Sequence, residues 1–192
     1  MRDAIAVLVL LVQLPVPLFW LAVHPAIGFW RGRPRTWYYV WALTVWLGTA
    51  VVLLAALGWW LAERFARHPL VAVLGVSLVA ADVWLITRVK RAASWRVLVG
   101  LPELAPAGQG SGALMARGIY GRLRHPRYLG MMLSWLGAVL VSGSTRLLAL
   151  VLGFIVLALW MTELEEGELL RRLGTAYADY RRRVPRFFPR FR

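Results

Sequence analysis

Residues 129–160 read LGMMLSWLGAVLVSGSTRLLALVLGFIVLALW. Two apolar runs, Leu129 to Val141 and Leu147 to Trp160, flank SGSTR at 142–146, a cluster that favours a turn over a continued helix. Such a pattern predicts two antiparallel helices, a hairpin. Counted from Pro126, the first arm has about 17 residues, or ~25 Å at 1.5 Å per residue, enough either to cross a bilayer or to dip into it. In both cases the chain returns to the side from which it entered.

Three longer apolar runs precede the hairpin: Ile5 to Val23, Trp37 to Trp60 and Leu70 to Ile86. Each approaches the roughly 20 residues that a membrane helix needs. The first differs from a signal peptide in its Arg-Asp start, in Pro15 and Pro17, and in lacking a small-x-small cleavage pattern, so it is read as a retained span. Composition agrees: 60% of the 192 residues are hydrophobic and 17% are charged, against roughly 45–50% apolar in soluble domains. The fold class expected is all-α, a polytopic membrane protein with about five transmembrane helices and a cytoplasmic C-terminal helix. Trp20, Trp30, Trp37, Trp59 and Trp60 stand near the span ends and read as interfacial belts.

Loop charge orients the spans, because Lys and Arg resist translocation. The segments 31–35, 88–127 and 171–192 hold 19 of the 23 basic residues, and the opposite side keeps Arg2, Arg64, Arg67 and Arg146. This places the N-terminus outside and the long loop and tail in the cytoplasm. The skew to arginine, with Lys90 the one lysine, looks like GC-rich coding and hence a bacterial inner or plasma membrane. A net charge of +14 invites nucleic acid as partner, and so does the tail RRRVPRFFPRF at 181–191. The basic blocks lie beside apolar spans, however, so membrane lipid is the expected anion and no nucleic acid is expected. There is no cysteine and the three histidines are scattered, which excludes thiolate chemistry and leaves no metal site to expect.

Inside the long loop, GQGSG at 108–112 matches part of a dinucleotide fingerprint. Those glycines function in a turn between a buried strand and a helix, and LPELAPA precedes them here, so they read as a flexible linker.

Arg-His-Pro occurs twice, at 67–69 and 124–126. Both prolines suit the first turn of a helix, and His24-Pro25 shows the same pair as punctuation. Position separates the copies. The first lies on the outer face beside Glu63. The second lies on the cytoplasmic face within GIYGRLRHPRYLG, with Tyr120, Tyr128 and Gly130 around it. There an anion meets free backbone N–H groups, the positive helix end and Arg124. Beyond the hairpin, Glu168 stands four residues before Arg172 and reads as a surface pair. Glu165 and Glu166 have no basic residue at i+3 or i+4, and two unpaired carboxylates at the interface suit a cationic ligand. Asp82, one turn from the inner end of the third span, either pairs with Arg88 or lines an acceptor entrance.

These motifs together, Gly-x-Tyr-x-x-x-Arg-His-Pro-x-Tyr-x-Gly, a hairpin, Glu-Glu-x-x-Leu, Gly-x-x-Tyr-x-x-Tyr and a Val-Pro ending, resemble the isoprenylcysteine carboxyl methyltransferase and phospholipid methyltransferase superfamily over 118–189. The resemblance implies an enzyme that uses S-adenosylmethionine in a cytoplasmic pocket closed by the C-terminal helix and tail. Its lipophilic acceptor, a lipid headgroup amine or the carboxylate, thiol or phenol of an isoprenoid-like molecule, would arrive from the bilayer. Residues 1–87 would then be a transmembrane part and 88–192 the cofactor-binding part. Carried over, Tyr120, His125, Pro126 and Tyr128 line the cofactor pocket, Gly130 permits close approach, and Glu165 holds the cofactor's polar groups. Arg124 faces the cofactor or the acceptor headgroup, and Glu166 or His125 takes a proton from an amine acceptor. Met161 stands where prenylcysteine-type members carry a substrate-binding arginine, which argues against a prenylcysteine acceptor.

Two other readings stay open. Membrane reductases related to the steroid reductases share a similar C-terminal Tyr and Arg-x-Pro-x-Tyr region and would use NADPH, although Arg127 stands where they place Asn. A non-enzymatic scaffold or transporter would bind no cofactor.

Overall fold

The computed structural model describes residues 2–65, 68–94 and 114–188. GQGSG at 108–112 lies outside the described residues, as does Arg67. The described chain is helical, because backbone N–H groups at bilayer depth must be satisfied within their own segment. Helices α1 (Arg2–Gln13) and α2 (Pro15–Val23) continue one another across Leu14. Pro15 and Pro17 offer no N–H to Leu11 and Gln13, which breaks the ladder at that point. A short α3 (Ile27–Arg31) leads into α4 (Arg35–Ala55). Ala56 then interrupts the run expected as one helix from Trp37 to Trp60, and α5 (Leu57–Ala62) follows. After α6 (Pro69–Ala92) come α7 (Pro126–Ser142), α8 (Thr145–Leu173) and α9 (Thr175–Arg183).

Among the described residues four helical segments are long and apolar enough to cross a membrane: Arg2–Val23, Arg35–Ala55, Pro69–Ala92 and Thr145–Leu173. The protein is a multi-pass membrane protein. Helix α7, with 17 residues, is a different kind of element: eleven of them are buried, so it is enclosed by protein more than by lipid. Its tightest packing is against α6, where a Cβ on Gly75 would stand 2.7 Å from the Gly137 carbonyl and a Cβ on Gly137 would overlap the Gly75 carbonyl. Two bare backbones meet there, the small-residue contact of membrane helices. Gly143, at φ 75°, ends α7 in the left-handed conformation that glycine adopts without strain. Ser144 caps α8 by accepting from Leu147 N at 3.1 Å, and Trp135 and Phe154 bring α7 and α8 edge to face with ring centroids 6.2 Å apart.

One buried cluster runs from Leu10 through Phe19, Trp135 and Val151 to Met161, so the parts 1–87 and 88–192 share a core. Outward, Leu8, Leu43, Val51, Val73 and Val156 are exposed, as lipid-facing positions are. The tryptophans divide. Trp37 and Trp59 are exposed belt residues, whereas Trp20 is 7% exposed and stacks on His24, which makes it a core residue instead.

Polar groups gather at the two ends. At one end Arg64 donates to Asp3 and to the Ser142 carbonyl, Phe65 N donates to Gly143 O, and Arg146 pairs with Glu63. The other end holds Arg31, Arg124, Glu163, Glu166, Glu168 and Arg186. His68 and Pro69 of the first Arg-His-Pro copy are at the former end and the second copy is at the latter.

Candidate active site

The second copy is approached through a 3-10 turn, Gly118–Gly121, and is paired with the tail. Arg124 N donates to Pro185 O at 2.9 Å and His125 N to Arg186 O at 3.1 Å, while Tyr180 Oη donates to the Tyr120 carbonyl at 2.7 Å. Gly174, at φ 54°, turns the chain from α8 into α9 so that this contact forms. Pro126 opens α7 as expected.

The two copies use histidine differently. His68 Nδ1 accepts from Leu70 N at 3.3 Å and caps α6. His125 makes no side-chain cap to α7. Its Nε2 lies 2.9 Å from Glu166 Oε1, and because a carboxylate only accepts, that nitrogen donates.

Glu166 is the hub of the site, at 1% exposure. Arg124 donates from Nε at 3.0 Å and from Nη2 at 3.3 Å, and Arg186 donates from Nε and Nη2, both at 3.1 Å. Arg181 Nε stands 3.8 Å away. The expectation of two unpaired carboxylates is therefore overturned for Glu166: its partners come from α9 and the tail rather than from its own helix. Arg124 is likewise engaged by groups of the protein. Its Nη1 donates to the carbonyls of Arg181 (2.7 Å) and Val184 (2.9 Å), closing the C-terminal end of α9 as a cation at the negative pole of a helix does. Arg186 also pairs with Glu163, and this contact above all raises its pKa.

Glu165 is different. Its side chain is 25% exposed, and its ion-pair contact among the described residues is His125 Nδ1, at 3.8 Å. Around it stand aromatic groups. Burial pushes the Tyr120 phenol up to about 12, with the Glu165 charge adding to the effect, so Tyr120 is a neutral donor at any physiological pH. Burial raises Tyr177 too, with Glu166 and Glu165 contributing. The Tyr177 hydroxyl is buried without a hydrogen-bond partner among the described residues. The His125 ring lies 5.9 Å from Tyr128 and 6.1 Å from Phe187. His24, read from sequence as punctuation, is brought to this cluster from α2. Burial lowers its pKa against the pull of Glu165 and Glu168.

Three more expectations change. Glu168 is buried at 6%, not a surface residue, and ties α3 to α8 by accepting from Arg31 Nη2 at 2.9 Å, with Arg172 at 3.4 Å. Asp82 does not pair with Arg88: it accepts from Gln13 Nε2 at 2.7 Å and from Ser134, inside the bundle. The space at Gly130 is filled by that carboxylate, since a Cβ there would overlap Asp82 Oδ1. Gly130 thus admits a side chain of α6. Arg186, Arg181, Tyr177 and His24 had no assigned role in the sequence. Arg186 and Arg181 reach Glu166 from the tail and from α9, beyond the reach of helical spacing.

The protein is thus an α-helical membrane bundle whose C-terminal tail is fastened to a buried carboxylate hub. The model of the phospholipid methyltransferase family matches residues 70–176, and the chain belongs to that family, within the wider superfamily that includes the isoprenylcysteine carboxyl methyltransferases. The chain is also similar to methanethiol S-methyltransferase 2 of Bradyrhizobium diazoefficiens, at 37% identity over 73 residues. That match takes in 38% of this chain and spans 27% of the relative's length. No solved structure matches it.

Proposed function

We propose that this protein is an integral membrane methyltransferase that uses S-adenosylmethionine and transfers the methyl group to a lipophilic acceptor, with the site at the cytoplasmic face and the N-terminus outside. The observation that carries the reading is the buried Tyr177 hydroxyl without a hydrogen-bond partner among the described residues, which feels the charge of the partly exposed Glu165, while the tail is locked to Glu166.

The residues fit the cofactor's chemistry. S-adenosylmethionine has an ammonium group and ribose hydroxyls that suit a carboxylate and a phenol, and a sulfonium that suits aromatic faces. Glu165 and Tyr177 would hold the polar groups, and Tyr120 and Tyr128 would line the remainder. When bound, it supplies an electrophilic methyl group whose transfer disperses positive charge. Such a displacement requires alignment and a dry site more than an acid and base. This chain supplies both by holding the tail down: Arg124 and Arg186 fasten residues 181–186 to Glu166 and keep water out.

Glu166 acts in this reading as a positioning residue, since three cationic or donor side chains already occupy its oxygens. His125 orients it and faces Glu165. A thiol acceptor, suggested by the relative's name, ionises readily enough to react without a strong base. The test is calorimetry of the full chain in detergent with S-adenosylhomocysteine and, separately, NADPH, followed by transfer of labelled methyl groups to alkyl thiols and phospholipids. Binding of S-adenosylhomocysteine with label transfer is expected. Binding of NADPH alone would overturn the reading.

A further inference from the structure

Away from the Glu166 hub, a cavity of about 440 Å3 opens where the end of α6 meets the 3-10 turn. Its size falls within the roughly 300–1,000 Å3 of small-molecule sites. Four arginines line it. Arg88 and Arg91 share one face of α6 with Trp84, and Arg117 and Arg122 flank the turn on either side. Gly118, at φ 59°, lets the turn approach α6 so closely that a Cβ would stand 3.2 Å from that of Ala92, which brings the two pairs together. Among the described residues none of the four guanidiniums forms an ion pair, while Arg88 lies over the Trp84 ring at 5.2 Å.

Four like charges around one cavity repel one another, and an anion within it reverses the sign of that energy. Guanidinium forks match phosphate oxygens in geometry and charge. The fourth wall is apolar: Trp84 is 52% exposed on a membrane-spanning helix, one turn before Arg88. A group held here has its phosphate among arginines and its remainder beside an indole at the bilayer interface.

We propose that this cavity is a second ligand site, which takes the phosphate of an anionic phospholipid headgroup. It shares no lining residue with the cluster around Glu166, so it stands apart from the methyl-transfer reading.

The full chain, purified and delipidated in a neutral detergent, would be titrated with short-chain phosphatidylglycerol, with short-chain phosphatidylcholine and with inorganic phosphate. Phosphatidylglycerol is expected to bind tightest. Arg88→Gln with Arg122→Gln should weaken it about thirtyfold, at the scale of a juxtamembrane arginine for each charge. Arg91→Gln with Arg117→Gln should do the same. Arg33→Gln with Arg35→Gln removes equal charge elsewhere and should leave binding within about twofold, which separates a built site from diffuse attraction. Equal losses in all three double variants, or no preference for phosphatidylglycerol over phosphatidylcholine, would overturn the proposal. Displacement of the lipid by equimolar inorganic phosphate would assign the cavity to a soluble anion and overturn it too. All variants change exposed side chains, and unchanged unfolding temperatures would confirm that they fold.

Discussion

Arg124 Nε donates to Glu166 Oε1 at 3.0 Å across 42 residues of sequence, while Nη1 of the same guanidinium holds the carbonyls of Arg181 and Val184. One side chain thereby joins the start of α7, the inner part of α8 and the end of α9. The geometry makes Glu166 structural before it is anything else. Glu166→Gln leaves Arg124, 9% exposed, without its counter-charge. Breaking a buried pair costs about 3 to 5 kcal/mol, and Arg186, at 26% exposure, adds little because water screens it. A large fall in unfolding temperature, together with new protease sensitivity in 174–188, is expected. A variant as stable as the parent, with its tail protected, would show that the hub does not hold the tail.

Glu165 makes the opposite prediction. Its carboxylate is partly exposed and lies 3.8 Å from His125, so Glu165→Gln should leave stability within about 1 kcal/mol, the scale of a surface pair. Affinity for S-adenosylhomocysteine should fall about tenfold to a hundredfold, the worth of a hydrogen bond to a charged group. Glu168→Gln should show the reverse, because Glu168 ties α3 to α8 through Arg31. Calorimetry on both variants decides between them: the same affinity loss in each would refute the placement.

The two Arg-His-Pro copies yield a third test. His68→Ala removes a 3.3 Å cap and should cost about 1 kcal/mol without affecting ligand binding. His125→Ala removes a donor from Glu166 and the neighbour of Glu165, so both stability and affinity should fall. Equal binding in the two variants would mean that the second copy is a cap as well.

Gly130 and Gly153 are both helical glycines, and only one is enclosed. A methyl at 130 meets Asp82, and overpacking costs about 1 to 3 kcal/mol. A methyl at 153 meets nothing within 4 Å, so Gly153→Ala should be neutral or stabilising. Scanning fluorimetry of the pair in detergent reads the difference directly, and equal unfolding temperatures would argue against the close approach of α6 and α7.

Apolar length alone located the spans, because burial in lipid demands it, and SGSTR placed the turn that Gly143 and Ser144 make. The break at Ala56 was not legible, since neither proline nor a charge marks it. Of the candidate site, Tyr120, His125, Tyr128 and Glu165 were singled out because they stand within the motifs at 118–130 and 165–169. Their partners were not. Nothing in VPR at 184–186 announces that Arg186 folds back onto Glu166, or that Arg124 closes α9, as these contacts depend on how α8 and α9 are placed in space. Asp82 was read against Arg88 because helical spacing is the one ruler a sequence offers, whereas its partner Gln13 lies 69 residues away.

Tyr177 gives the sharpest test, because its hydroxyl is 1% exposed as part of the residue and has no hydrogen-bond partner among the described residues. A buried donor left unsatisfied costs about 1 to 3 kcal/mol. Tyr177→Phe keeps the ring among Leu169, Leu170 and Tyr180 and removes only that oxygen, so the ligand-free protein should be as stable as the parent or more so. If the hydroxyl is reserved for S-adenosylmethionine, the same variant should bind S-adenosylhomocysteine about threefold to tenfold more weakly, the worth of one neutral hydrogen bond. Tyr180→Phe is the control: its hydroxyl already donates to the Tyr120 carbonyl, so its loss should destabilise the protein by about 1 kcal/mol. Unfolding curves with and without S-adenosylhomocysteine report both quantities at once. A Tyr177→Phe protein less stable than the parent, with undiminished ligand affinity, would show that the hydroxyl serves the fold and would remove the main support for a cofactor beside Glu165.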